Sequence, residues 1–181
     1  MQSGVSAGIV APYAQALMSI AQVHDVVDAI GDDVQSLRQM LAESSELAQF
    51  LANPLAGVET KKGVLSQVTR EGFNAYTKNF LMLLVDRGRV FLLDAICEQY
   101  QSLLRELKGI VLAEVTSASV LSDEQVEAVR EKVKSFTGAN GVDVSLSIDA
   151  DLIGGVTIKV GSQVLDASLR GQLRRLALSL S

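Results

Sequence analysis

Four features of the chain carry residue types suited to chemistry: the glycine pair Gly154–Gly155 in "DLIGGVTIKVGSQVLDASLRGQLRRLALSL", the single histidine His24, the single cysteine Cys97, and Arg170, Arg174 and Arg175 near the end. A phosphate cradle places glycines ahead of a helix N-terminus, with a Lys–Ser/Thr pair or GxGxxG spacing, so that backbone N–H groups converge on the anion. "IGGVTIKVG" has neither and runs into a β-rich stretch. Gly154 and Gly155 therefore read as structural, marking a bulge or a close approach of backbone. His24 and Asp28 form an i, i+4 pair, which is half a metal site whose other ligands would have to be distant carboxylates. A solvated histidine at a helix junction is the preferred reading.

With one histidine, a Ser–His or Cys–His nucleophile has no natural base. The pairs Asp32–Asp33 and Asp149–Asp151 read as exposed turns, where nothing lifts a carboxyl group toward a general acid's role. Cys97 lies in an apolar helical run and reads as a small buried hydrophobe. The residues thus give no catalytic set, no cofactor site and no metal site. Arg170 and Arg174 share a helix face by i, i+4 spacing, opposite a stripe of Leu169, Leu173, Leu176 and Leu180. The arginines either offset the helix dipole or dock an acidic helix. The leucines either pack on a sheet or receive a partner's apolar side chains.

Composition narrows the classes further. Hydrophobic residues make up 48% and charged ones 20% of the 181 residues, enough apolar mass for a packed core. Aromatics are 4%, Trp is absent and the net charge is −5, which argues against stacking platforms and phosphate-backbone grooves. A single cysteine excludes an internal disulfide. No apolar run reaches the roughly 18–20 residues of a membrane span. The uncharged start, "MQSGVSAGIVAPYAQALMSIAQV", lacks the basic region of a signal peptide and the arginines of a transit peptide. It reads as a helix apolar on most of its circumference.

The elements that would position these residues change character once. Up to Leu107 the apolar spacing is helical. A helix containing Pro12 runs to Val23, and a second, capped by Asp25, carries Val27, Ile30, Val34, Leu37 and Leu41. A third spans Glu46–Leu51, and "ETKKGVLSQV" forms a fourth with Val64, Leu65 and Val68 inward. The fifth holds Phe73, Tyr76, Phe80, Leu83 and Leu84 as its main stripe, beside a second row of Leu81, Met82 and Val85, with Gly88 as C-cap. The sixth covers Val90–Leu107.

From Gly109 the pattern turns to strands. "GIVLAEVTSA" is β-rich, and Ser122 with Gln125 opens a helix through a capping box. "VDVSLSID" alternates, with Val142, Val144, Leu146 and Ile148 on one face. Gly161–Ser162 makes a two-residue hairpin turn, opposing Ile158 to Leu165, Val156 to Ala167 and Thr157 to Asp166, with Lys159 diagonal to Asp166. The fold class is α+β. Residues 1–107 form an antiparallel bundle of about six helices. Residues 108–181 form a small α/β domain with a β-hairpin and a terminal helix.

The C-terminal stretch "DLIGGVTIKVGSQVLDASLRGQLRRL", with "PYAQALMSIA", "NPLAGVETKKGVL" and "NFLMLLVDRGRV" in order before it, resembles the delta subunit of bacterial and chloroplast F-type ATP synthases, the oligomycin-sensitivity-conferring protein of mitochondria. Ala11 and Gln15 stand where relatives often carry basic side chains. The resemblance implies a non-catalytic stator subunit. Its bundle would hold N-terminal segments of the alpha subunits, and its C-terminal domain the ends of b-type stalk helices. It further implies a peripheral position on the cytoplasmic or stromal face of an energy-coupling membrane, in a bacterial, cyanobacterial or plastid setting.

Within that frame the alpha segment is expected in a groove between the first and fifth helices, at Tyr13, Ala14, Ala16, Leu17, Ile20, Leu81, Leu83, Leu84 and Val85. The stalk is expected at Arg170, Leu173, Arg174 and Leu176, while Gly154, Gly155, Gly161 and Asp166 keep structural roles. A stand-alone helical adaptor and a small nucleotide binder are the alternatives. Co-purification with synthase subunits and nucleotide-dependent thermal stabilisation, respectively, separate them from the stator reading.

Overall fold

Helical spacing in the first half and alternation in the second become two compact units, residues 1–104 and 105–181, in a computed structural model that describes residues 7–69, 72–149, 152 and 154–169. The division falls inside a helix, between Leu104 and Arg105, one turn earlier than the change of sequence pattern suggests.

The first unit contains α1 (Ala7–Val23), α2 (Val27–Glu43), α3 (Ser45–Ala52), α4 (Val58–Val68), α5 (Ala75–Asp86) and the start of α6 (Leu93–Lys108). A 3-10 turn, Val90–Leu92, precedes α6, so the expected sixth helix is split in two. Its core joins Val10, Ala14, Leu17 and Ala21 of α1 to Ile30, Val34 and Leu37 of α2. Leu51 of α3, Leu65 of α4, Leu81, Leu84 and Val85 of α5, and Ile96 and Tyr100 of α6 also belong to it. Pro12 sits inside α1 and removes the donor that would otherwise reach the Gly8 carbonyl.

Asp25 does not cap α2. It ends α1 in the left-handed region (φ 54°), and the Asp25 and Val26 N–H groups close back on the carbonyls of Gln22 and Ala21. The N-cap of α2 is Val26, which makes no side-chain cap. A short polar residue tolerates this conformation, so Asp25 substitutes for the glycine usual there. Gly88 closes α5 with the same pattern, Gly88 N–H to Val85 and Arg89 N–H to Leu84.

Asp33 also departs from expectation. It lies buried in α2, not in an exposed turn, and accepts from Asn74 N–H at 2.9 Å and Thr77 Oγ1 at 2.5 Å. It thereby satisfies the Asn74 backbone donor at the N-cap of α5 and the buried Thr77 hydroxyl one turn on. Asp33→Ala is expected to cost about 2–3 kcal/mol of stability, since hydrogen bonds to a charged acceptor are lost and buried donors stay behind. A fall in the urea midpoint at unchanged slope would show it.

In the second unit, β1 (Ile110–Ser117), α7 (Asp123–Thr137), β2 (Gly141–Ile148), β3 (Gly155–Val160) and β4 (Gln163–Ser168) build a sheet of order β2-β1-β3-β4. β1 and β2 run parallel, joined through α7, while β1–β3 and β3–β4 are antiparallel. The capping box at Ser122 and Gln125 forms as expected.

The hairpin register is Ile158 opposite Leu165, Val156 opposite Ala167 and Thr157 opposite Asp166. Gly161 takes φ 58° at the first turn position and Ser162 does not share the positive φ, the pattern of a II′ turn. Lys159 pairs with Glu114 on β1 at 2.8 Å, not with Asp166, because Glu114 is its cross-strand neighbour. Asp166 accepts instead from the Ser168 N–H and hydroxyl.

The buried cluster comprises Ala113, Val115, Val129, Val133, Val142 and Ile158. Leu146 and Ile148, on the same alternating face as Val142 and Val144, are 51% and 62% exposed. They lie on the far end of an edge strand, beyond the residues that pack with Val129 and Val133. The expected terminal helix, with Arg170, Leu173, Arg174 and Leu176, lies outside the described residues.

Candidate functional site

α1 and α5 lie antiparallel. Arg89, just after α5, donates to the Tyr13 hydroxyl with its guanidinium 5.3 Å from the ring centroid, while His24, just after α1, stacks on Tyr76 near the start of α5 at 4.4 Å. Along one side of this pair runs an open groove of about 880 Å³. Its α1 wall is Gly8, Ile9, Pro12, Tyr13, Ala16 and Ile20, and its α5 wall is Phe80 and Leu83 with Arg87 at the helix C-cap. Gly88, Arg89, Phe91 and Leu92 close one end.

The α1 wall follows helical spacing, with Ile9, Tyr13, Ala16 and Ile20 in one row and Val10, Ala14, Leu17 and Ala21 in the buried row beside it. Of the expected groove residues, Tyr13, Ala16, Ile20 and Leu83 line it. Ala14, Leu17, Leu81, Leu84 and Val85 do not, because each is buried in the bundle core. Leu83, 44% exposed, is the α5 residue left outside when Leu81, Leu84 and Val85 turn inward. Both rows of each helix are apolar, so composition cannot say which faces the core.

Sequence reasoning missed Ile9, Pro12, Arg87, Arg89 and Phe91. Phe91 is 58% exposed between buried Val90 and Leu92, since the 3-10 turn directs neighbouring side chains to different sides. The signal was "RGRVFLL", where the glycine breaks the helix and resets the phase.

The other sequence-level sites acquire structural roles. His24 stacks with Tyr76, and among the described residues no group of three or more His, Cys, Asp or Glu is arranged to hold a metal ion. Cys97 is buried, and burial, reinforced by the nearby Asp94 charge, pushes its thiol from 9.0 up to about 12. Tyr100 rises from 10.0 to about 12 for the same first reason, with Asp28 and Asp33 adding to it.

Both folded-state values exceed the unfolded ones, so these groups contribute stability that is intact below pH 9 and is lost as pH rises toward 12. The native protein is expected to resist thiol-alkylating reagents at neutral pH, and to react once denatured. Labelling rates followed along a urea series would test this, as would alkaline thermal melts.

Gly155 adopts φ 81°, and a Cβ there would lie 2.5 Å from the Ala167 carbonyl oxygen. One at Gly154 would lie 2.8 Å from the Leu169 side chain. The pair is a site of close approach between β3 and the chain leaving β4. Among the described residues no helix is long and apolar enough to cross a membrane.

With fold and groove established, comparison with known proteins places the chain. The family model "ATP synthase delta (OSCP) subunit" matches residues 9–180. The ATP synthase subunit delta of Thermosynechococcus vestitus is 54% identical over 181 residues, covering 100% of this chain and 98% of the relative. That of Synechocystis sp. is 51% identical over 175 residues, covering 97% and 95%. A chain in the Toxoplasma gondii mitochondrial ATP synthase hexamer shares the fold, with a TM-score of 0.76, 24% identity and coverage of 94% and 96%. Such a fold and such relatives define an α+β subunit of a multi-chain assembly. The chain belongs to the ATP synthase delta (OSCP) subunit family.

Proposed function

We propose that this chain is the non-catalytic stator subunit of a cyanobacterial-type F-type ATP synthase, coupling rotor torque to ATP synthesis and proton translocation by holding the catalytic head to the peripheral stalk. The helical unit grips N-terminal segments of the alpha subunits. The C-terminal unit, with Arg170, Leu173, Arg174 and Leu176 among its expected contacts, holds the ends of b-type stalk helices. The protein is peripheral, on the cytoplasmic or stromal face of the plasma or thylakoid membrane.

The observation that carries this reading is the groove between α1 and α5, an exposed apolar channel on a chain of this family. An amphipathic helix would lay its apolar face along it with anchors at helical spacing. Exposed Ile9, Ile20, Leu83 and Phe91 give the groove an apolar surface that an isolated chain leaves in water. The test is reconstitution of a delta-depleted synthase with full-length protein, scored by proton-driven ATP synthesis. Wild-type protein should restore coupling and Leu83→Asp should restore far less. Full restoration by Leu83→Asp would remove the groove from the mechanism.

A further inference from the structure

From the charges of the groove we infer that its occupant carries a carboxylate side chain at the end of its apolar stripe, paired with Arg87 and Arg89, and that this pairing fixes the direction in which the helix docks. The inference rests on the groove being the docking site proposed above. Every other residue lining the channel is uncharged, and α1 contains no Asp, Glu, Lys, Arg or His from Ala7 to Val23. All the formal charge of the groove is therefore positive and concentrated at one end, where α5 terminates.

Neither arginine makes an ion pair among the described residues. The acid adjacent in sequence, Asp86, is engaged by Lys62 at 2.6 Å. Arg89 is held in place over Tyr13 through a hydrogen bond to a neutral hydroxyl, so its charge is fixed without being neutralised. An apolar helix entering this channel partly desolvates both guanidiniums, and a carboxylate on the helix offsets that cost. Reversed, the same helix would leave two cations against apolar surface, which discriminates between directions by repulsion as well as attraction.

The bland account is that Arg87 and Arg89 only offset the dipole of α5. The two accounts separate experimentally, because a dipole role changes thermal stability and leaves peptide binding and its salt dependence alone. The probe is a synthetic peptide of the N-terminal segment of the same synthase's alpha subunit, titrated against the full chain at low and high salt.

Arg87→Glu should weaken binding at low salt by about tenfold or more and flatten its salt dependence, with the melting curve confirming the fold. Changing the peptide's facing acidic residue to lysine should restore affinity to Arg87→Glu and lower it for wild type. Arg87→Gln with Arg89→Gln gives the milder control. If Arg87→Glu and the double variant bind with wild-type affinity and salt slope while Leu83→Asp binds poorly, the arginine inference falls and the groove stands. If Leu83→Asp also binds normally, the groove reading falls, and the inference with it.

Discussion

Ala14→Asp is expected to unfold the helical unit, whereas Ala16→Asp, two residues along the same helix, should leave it folded and cripple its binding. Ala14 has 0% exposure and sits in the core cluster with Leu17, Leu81 and Leu84, among buried hydrophobic side chains. An unpartnered charge in such a place costs at least about 3 kcal/mol, a large part of the roughly 5–15 kcal/mol that holds a domain together. Ala16 lines the groove and is exposed, so its carboxylate stays hydrated in the isolated chain. The cost arises only when a partner's apolar face covers it, at about 1–3 kcal/mol of affinity. Circular dichroism melts and titration with the alpha N-terminal peptide read the two effects separately. A folded Ala14→Asp protein would contradict the assignment of that face to the core, and unimpaired binding by Ala16→Asp would contradict the groove.

The second large effect should come from Gly155→Val. The backbone at φ 81° is strained for any side chain and worst for a β-branched one. The added Cβ would also stand 2.5 Å from the Ala167 carbonyl oxygen and 2.9 Å from the Ser168 Cα, both rigid backbone atoms of β4. Strain and overlap together should cost about 3 kcal/mol or more, enough to open the β3–β4 pairing. Hydrogen exchange should then show lost protection at the β3 and β4 amides, with the amides of α1 to α5 unchanged. A variant with full protection in β3 and β4 would disprove the close-approach reading of the glycine pair. The expected functional consequence is loss of stalk binding with peptide binding by the bundle retained.

What the amino-acid order determined by itself is mainly local. Hydrophobic spacing, Pro and Gly punctuation and the Ser122–Gln125 capping box place the helices, because each is settled within a few residues of its own sequence. The hairpin register was equally legible, since a glycine turn of fixed length allows one pairing that keeps Val156, Ile158, Leu165 and Ala167 on the same face. Family membership too lay in the sequence, spread over motifs from the first helix to the last strand.

The tertiary structure decided which of two apolar rows on α1 and α5 turns inward. Both rows are apolar, and the choice depends on which face of each helix meets the other helices of the bundle, α2 among them. The same holds for Asp33, whose burial is stabilised by donors at Asn74 and Thr77, more than forty residues away in the chain. It holds for Lys159 as well, which finds Glu114 only after β1 and β3 pair. The groove itself is a remainder of this packing. It consists of the apolar side chains that α1, α5 and the 3-10 turn leave outside after the core is filled, and so it exists only once the core does.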